Sequence, residues 1–545
     1  MDPNTPQSNI EGPALGFPRS DISDTLPAPK KSPSQTPDSP FENTNIRDLF
    51  RKIDVGGENF LECAECHKLL STTTSTTNLR KHFKIYHQDR GINTIIAPLE
   101  DKELVILNYI LECNIPFNTL RKGSFRKIME CMDAAINEER LIELIALEAA
   151  HLREKVFNKL TIDVPCSIQL DGWTNIRGEH LYAFFFRTSE GVARYIQQEK
   201  ADSHTIQGAK WLSSRLFVVI DKLKSTGRIC YSITSDNAHV ISSAVIELNN
   251  RASPKILHHM CGCHCVNLLL GKVIQEFKLM DQVQQLKEKV DEHKRDEGYI
   301  KVKKYTPTRW YSLGEHLESL LANACIFEIR YQSVLKEFQG LLKYFYTLLH
   351  KLEKEGATLV TAYESFIAFE EALERDKSDL SSYTLDLYLG TYFPNYIDKS
   401  CCISMAAFLT PRWKEHIIKA YGDIRGVIKE IHERSETWGI PVPLTSLRRY
   451  QSGEEPFVFD PKHEDQPMEQ WEIVGMYSDS VHASNLCKFY RILTSISPTE
   501  AVVERAFSIE KFIHSSLRNR LSDGRVEDLM ALKLNYDVWR RGHRL

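Results

Sequence analysis

The spacing of apolar residues changes several times along the 545-residue chain, and each change marks a boundary. Between residues 99 and 160 apolar positions recur at steps of three and four: Leu104, Leu107, Ile110 and Leu111, then Leu141, Leu144, Ile145 and Ala149. That period predicts amphipathic helices, punctuated by Pro116 and Gly123. The period then shortens. Ser167–Asp171 predicts a short strand closed by Gly172. His180–Arg187 predicts a second strand, apolar almost throughout and so buried on both faces, and Val192–Gln197 a third. Residues 205–225 predict a helix, Ile229–Thr234 a strand, 238–249 a helix, Ile256–Met260 a strand and 264–279 a helix. The order β-β-β-α-β-α-β-α implies a mixed sheet with helices on its faces. Helical spacing returns over about 311–440, opened by Leu313, Leu317, Leu320 and Leu321. Residues 441–470, rich in Pro, Gly and acids, read as loop, and 484–540 read as helices again. No internal repeat is visible.

Composition sharpens this picture. With 42% apolar and 10% aromatic residues the chain can bury a large core, which excludes a wholly disordered or collagen-like protein. The length alone suggests about three to five domains. Residues 1–44 differ from the rest: they hold nine of the 22 prolines, mixed with Ser, Thr, Asp and Asn. Such a segment cannot bury enough surface to offset its ordering entropy, so a disordered tail is expected. No run of about 18 uncharged apolar residues exists, so no membrane helix is expected. No basic-then-apolar secretory pattern opens the chain, and the reading is intracellular. The net charge of −4 announces no nucleic-acid binder, though a local basic patch can act against the mean. The 13 cysteines are too sparse for a disulfide framework at this length.

Two clusters carry candidate chemistry. The first is Cys63-x2-Cys66, fifteen residues, then His82-x4-His87. Two thiolates on a turn and two imidazoles one helical turn apart can close a tetrahedron around zinc. A unit of about 40 residues needs such a staple, because its own core is too small. Asn78 to Tyr86 predicts the helix that carries both histidines, with Arg80 and Lys81 on its free face, suited to a phosphate or a base edge. A protein-binding finger is the alternative. The second cluster is a pair of acids after strands, Asp171 and Asp236, with a later helical acid, Glu504, flanked by apolar Val502, Val503 and Phe507. Singly, each aspartate reads as a turn cap and Glu504 as a solvated helix residue. Together they suit phosphodiester cleavage, which needs an activated water and a stabilised leaving oxygen from hard cations held by carboxylates.

The finger resembles the BED type, by Phe50 and Phe60 ahead of the cysteines and Thr77-Asn78-Leu79-x2-His82. The chain from about 45 to 540 resembles the hAT transposase superfamily. The residues that carry this are Asp171-x-Trp173-Thr174, Ser235-Asp236-Asn237-Ala238, Cys261-x2-His264, Thr308-Arg309-Trp310, Glu504-Arg505-Ala506-Phe507-Ser508 and Arg518-Asn519-Arg520-Leu521. Asn175 stands where that family usually has Ser, and Val240 where Asn is common.

The resemblance implies a multidomain α/β fold. A ribonuclease-H-like catalytic domain (161–310 and 471–545) is interrupted by an all-α insertion (311–470) and ends in a helical dimerisation region. It is preceded by a tail (1–44), a finger (45–90) and a helical intermediate region (91–160). The resemblance further implies Asp171, Asp236 and Glu504 as catalytic ligands of Mg²⁺ or Mn²⁺, with Cys261 and His264 as active-site neighbours. Arg309 would meet DNA backbone, Trp310 would stack on a flipped base, and Asn78, Arg80 and Lys81 would contact DNA. The finger would hold structural zinc through Cys63, Cys66, His82 and His87. The implied activity is cut-and-paste transposition in the nucleus: cleavage of double-stranded DNA at terminal inverted repeats, a hairpin on flanking DNA, then strand transfer by a self-associating protein. A domesticated relative acting as a DNA-binding transcription or chromatin regulator is the alternative.

Overall fold

The computed structural model describes residues 50–55, 58–63, 69–71, 101–131, 136–201, 208–295, 298–306, 311–323, 325, 329–397, 402–477, 481–513 and 521–543. It divides into two compact units, at Glu100 and Asp101. In the first, strands β1 (Phe50–Val55), β2 (Glu58–Cys63) and β3 (Leu69–Ser71) form an antiparallel sheet, with Phe50 opposite Cys63 and Leu61 buried. Cys63 therefore ends the central strand. The tail, Cys66, Asn78, Arg80, Lys81, His82 and His87 lie outside the described residues.

The second unit opens with helices α1 (Asp101–Cys113), α2 (Gly123–Cys131) and α3 (Glu138–Val156). Asn137 caps α3 by accepting the Arg140 N–H at 2.8 Å, and Leu141, Leu144, Ile145 and Ala149 are buried along one stripe.

The sheet follows as β4 (Val164–Thr174), β5 (His180–Thr188), β6 (Ala193–Ala201), β7 (Arg228–Ser235) and β8 (Leu257–Met260), with spatial order β6-β5-β4-β7-β8. β4 pairs antiparallel with β5 and parallel with β7. Helices α4 (Gly208–Ser225) and α5 (His239–Asn249) make the crossovers that parallel pairing requires. The predicted strand at Ser167–Asp171 is longer than expected. Gly172 does not close it, because pairing with β5 continues to Thr174 opposite His180. The glycine is needed for space: a Cβ there would lie 2.8 Å from the Tyr182 ring.

Next come α6 (Gly262–Glu276) and α7 (Leu279–Glu292), the latter beyond the helix predicted to end at 279. The helical block holds α8 (Ser312–Leu321), α9 (Ile329–Glu353), α10 (Leu359–Asp376), α11 (Asp379–Leu387), a π-helical stretch at Tyr388–Ile397, α12 (Cys402–Phe408), α13 (Pro411–Tyr421) and α14 (Arg425–Thr437). Its buried core runs without a break into α6 and α7, joining residues such as Phe345, Phe366 and Phe408 to Cys261 and Val266. The expected loop over 441–470 is contradicted in part. Leu444–Ser452 is a helix, α15, started by Pro443 and ended at Gly453 with φ +68°, and it buries Leu447 and Tyr450 one turn apart. The chain ends in α16 (Pro467–Tyr477), α17 (Val481–Ser495), α18 (Ala501–Ile513), α19 (Asp523–Leu534) and α20 (Tyr536–His543).

These last helices return to the start of the unit. Arg153 on α3 pairs with Asp528 at 2.8 Å, and the buried Glu148 accepts from Trp539 Nε1 at 2.8 Å. Asn535 bonds both the N–H and the C=O of Tyr195, which satisfies the backbone beside an irregularity in the β5–β6 register. No helix among the described residues is long and apolar enough to cross a membrane.

Candidate active site

The sheet places two acids by register. Gln169 on β4 lies opposite Thr234 on β7, so Asp171 and Asp236 each stand two residues further along adjacent parallel strands. Both are partly buried. Asp171 Oδ1 accepts the Gly172 N–H at 2.7 Å, and Asp236 Oδ1 accepts the Ala238 N–H at 3.0 Å. The turn-capping bonds expected of lone aspartates are therefore present, yet the two carboxylates also feel one another. Burial, then the charge of Asp236, raises the Asp171 carboxyl to about 7.

The third acid arrives from more than 260 residues away, by a turn bolted across the sheet. Ser167 Oγ donates to Ser495 O at 2.6 Å, and Gln169 Nε2 donates to Ser497 Oγ at 2.7 Å and to Thr499 O at 2.9 Å. Thr234 Oγ1 donates to Ser497 O at 2.9 Å. The Gly262 N–H donates to Pro498 O at 2.9 Å. Two strands and the start of α6 thus fix where α18 begins. The helix starts only at Ala501, because the carbonyls of 497–499 accept from the sheet and from α6 instead of from a helix. Phe507 then packs on Trp173, ring centroids 4.1 Å apart, setting the inner face of α18 against the end of β4. Glu504 on that face is raised to about 8, first by burial, then by Asp171 and Glu353, with Arg505 opposing.

Cys261 is buried at the N-cap of α6, and its N–H donates to Ser235 O at 2.8 Å. Burial holds its thiol well above the ordinary range. His264 is partly buried in the first turn of the same helix. Arg309 and Trp310 lie outside the described residues.

Three neighbours were not singled out from the sequence. Glu500 is 1% exposed, and its Oε2 has no hydrogen-bond partner. Burial raises its carboxyl first, then the charges of Cys261 and Asp171. Its signal was available, since Glu500 and Glu504 are four apart and share a helical face. Glu353 ends α9, accepts from Tyr311 Oη at 3.2 Å, and is raised by burial. His258 Nε2 lies 2.7 Å from Ser235 Oγ, and burial lowers its imidazole while Asp236 pushes it back up. No local pattern marks either of these.

The cluster thus gathers carboxyls whose charges raise Asp171, Glu500 and Glu504 above their ordinary range, on top of burial. Oxygen-only donors suit Mg²⁺ or Mn²⁺, and a cation between them would reverse the upward shifts. In donor chemistry and charge the residues fit such an ion. Among the described residues, no three His, Cys, Asp or Glu side chains are closed around one point as a metal site.

No curated protein matches the chain. Residues 447–536 match the family model of the hAT family C-terminal dimerisation region. That stretch runs from α15 through α19 and includes Glu504, so the helix bearing the third acid belongs to the matched region. By this C-terminal region the chain is similar to the hAT family.

Proposed function

We propose that the protein is a DNA transposase of the hAT type, acting by metal-dependent cleavage and strand transfer at terminal inverted repeats. The observation that carries this is that Asp171, at the end of β4, acts electrostatically both with Asp236 beyond the neighbouring strand and with Glu504 on α18. The strand order agrees with a ribonuclease-H-like core. Asp171 and Asp236 would hold the cation from the strand side and Glu504 from the helix side. The bound ion would supply an activated water and a stabilised leaving oxygen. The charge of Glu353, with burial and Asp171, favours the protonated state of Glu504 until a cation arrives. Cys261 and His264 support the strand-to-helix junction beside Asp236. Arg309 and Trp310 are assigned to DNA backbone and to an extruded base, and the Cys63, Cys66, His82 and His87 set to structural zinc in a DNA-binding finger that bears Asn78, Arg80 and Lys81. The site of action would be the nucleus.

The rival reading is a domesticated DNA-binding regulator without catalysis. It is favoured by the lack of a closed three-ligand set among the described residues. Strand cleavage of DNA ends flanking the gene separates the two. With Mg²⁺ the wild type should nick the ends, and Asp171→Asn should lose more than about 100-fold, since even outer-shell changes at metal sites cost 10–100-fold. Intact DNA binding with no cleavage by either protein supports the regulator. Zinc content, compared with Cys63→Ser, checks the finger separately.

A further inference from the structure

On the opposite face of α18 from Glu504 lies a cavity of about 250 Å³. Val502, Arg505 and Ile509 line it from the helix. Its floor is Arg187, at the end of β5, only 3% exposed. The guanidinium donates through Nη1 to Ala357 O and through Nη2 to Gly356 O at 3.4 Å, both neutral carbonyls. Its Nε has no partner, and burial alone pushes its pKa down to about 10. A buried cation without a counter-charge is costly, and a fold normally pairs it.

Two glycine turns keep this group approachable. Gly191 and Gly356 have φ of +85° and +84°. A Cβ at Gly191 would lie 3.2 Å from Gly356 Cα and 3.6 Å from Arg187 Nη2, so a side chain there would crowd the guanidinium. Lys354, Arg505 and Lys533 add cations to the lining. Of the three carboxylates around it, Asp537 pairs with Arg194 at 2.6 Å and Arg541 at 2.9 Å and Glu353 accepts from Tyr311, while Glu355 is exposed to solvent.

We propose that this cavity binds a phosphate-bearing anion, seated on Arg187 with Lys354 and Arg505 at its mouth. Arginine suits phosphate because its planar fork can donate two bonds to one group. The volume is below the roughly 300–1,000 Å³ of sites for drug-sized ligands, which fits one or two phosphate groups better than a whole nucleotide. The site does not depend on catalysis by the acids on the other face of α18.

Thermal unfolding of the full chain with inorganic pyrophosphate, at ionic strength held constant with chloride and without divalent metal, tests this. The wild type should show a saturable rise in Tm. Arg187→Met should show none, while matching or exceeding the wild type in chloride alone, because it removes an uncompensated buried charge. Lys354→Glu, at an exposed position, should raise the half-saturating concentration several-fold, and it decides the matter if Arg187→Met fails to fold. No saturable rise in the wild type, or equal rises in wild type and Lys354→Glu, would overturn the proposal. A short DNA duplex that displaces pyrophosphate would assign the phosphate to a nucleic-acid backbone. A duplex that does not would assign it to a free anion, and either result keeps the site.

Discussion

Asp171 is held in place by its own neighbour, the Gly172 N–H, and is disturbed by its distant ones. Its carboxyl and that of Glu504 titrate at about 7 and 8, against ordinary values of 3.8 and 4.5. Across the interval between those values the folded chain keeps protons that the unfolded chain has released. The stability these groups allow is therefore complete below the ordinary values and is lost as pH rises through the folded ones. Asp171→Asn removes that penalty and relieves Glu504 as well. In chelator-treated protein its Tm should exceed the wild type at pH 8, and the gap should close towards pH 4. A gap that widens on acidification would contradict this. The paired aspartates were legible in the sequence, because each sits just beyond a run of strand-forming residues. Glu353 was not, since a glutamate at the end of a charged helix carries no mark of what the fold brings beside it. His258 was hidden for the same reason, its partners being Ser235 and Asp236 on the adjacent strand.

At the scale of elements, the turn at 495–500 does what no strand or helix does alone. It fixes Glu504 relative to Asp171 through side chains that point out of β4 and β7. Gln169 is central, with two donations into the turn and only 4% exposure. Gln169→Ala would leave the buried Ser497 and Thr499 acceptors with fewer partners. It should cost about 1–3 kcal/mol, read by urea unfolding, and a change within a few tenths of wild type would show that the turn is held elsewhere. The succession of strands and helices followed from periodicity, but this turn did not. Ser-Pro-Thr before a helix reads as a cap, and only the sheet beneath it supplies stronger partners for its backbone. The helix at Leu444–Ser452 escaped for a related reason. Its neighbours are rich in Pro, Gly and acid, and its stability comes from burying Leu447 and Tyr450 rather than from local preference.

For the whole molecule, the matched dimerisation region has an inner and an outer side. Helix α19 and the residue after it are engaged within the chain, through Asp528 with Arg153 and Asn535 with Tyr195, as is α20 just beyond the region, through Trp539 with Glu148. Among the large apolar side chains exposed in that region, alongside Val458 and Phe512, three lie on and just after α16: Ile473 is 56% exposed, Met476 77% and Val481 70%. Exposed apolar side chains close together on one helix, as Ile473 and Met476 are on α16, mark contact surfaces. Ile473→Glu combined with Met476→Glu should weaken self-association by at least about tenfold, the equivalent of about 1.4 kcal/mol, as measured by sedimentation velocity. An unchanged association constant would move the contact elsewhere in residues 447–536.

The convergence of acids from two strands and a distant helix is tested most directly by titrating the full chain with Mn²⁺ and following the free ion by electron paramagnetic resonance. Saturable binding in the wild type that is lost in both Asp171→Asn and Glu504→Gln, with zinc content unchanged, is the expected result. Binding that survives in both variants, or no binding in any of the three, would contradict a shared carboxylate site.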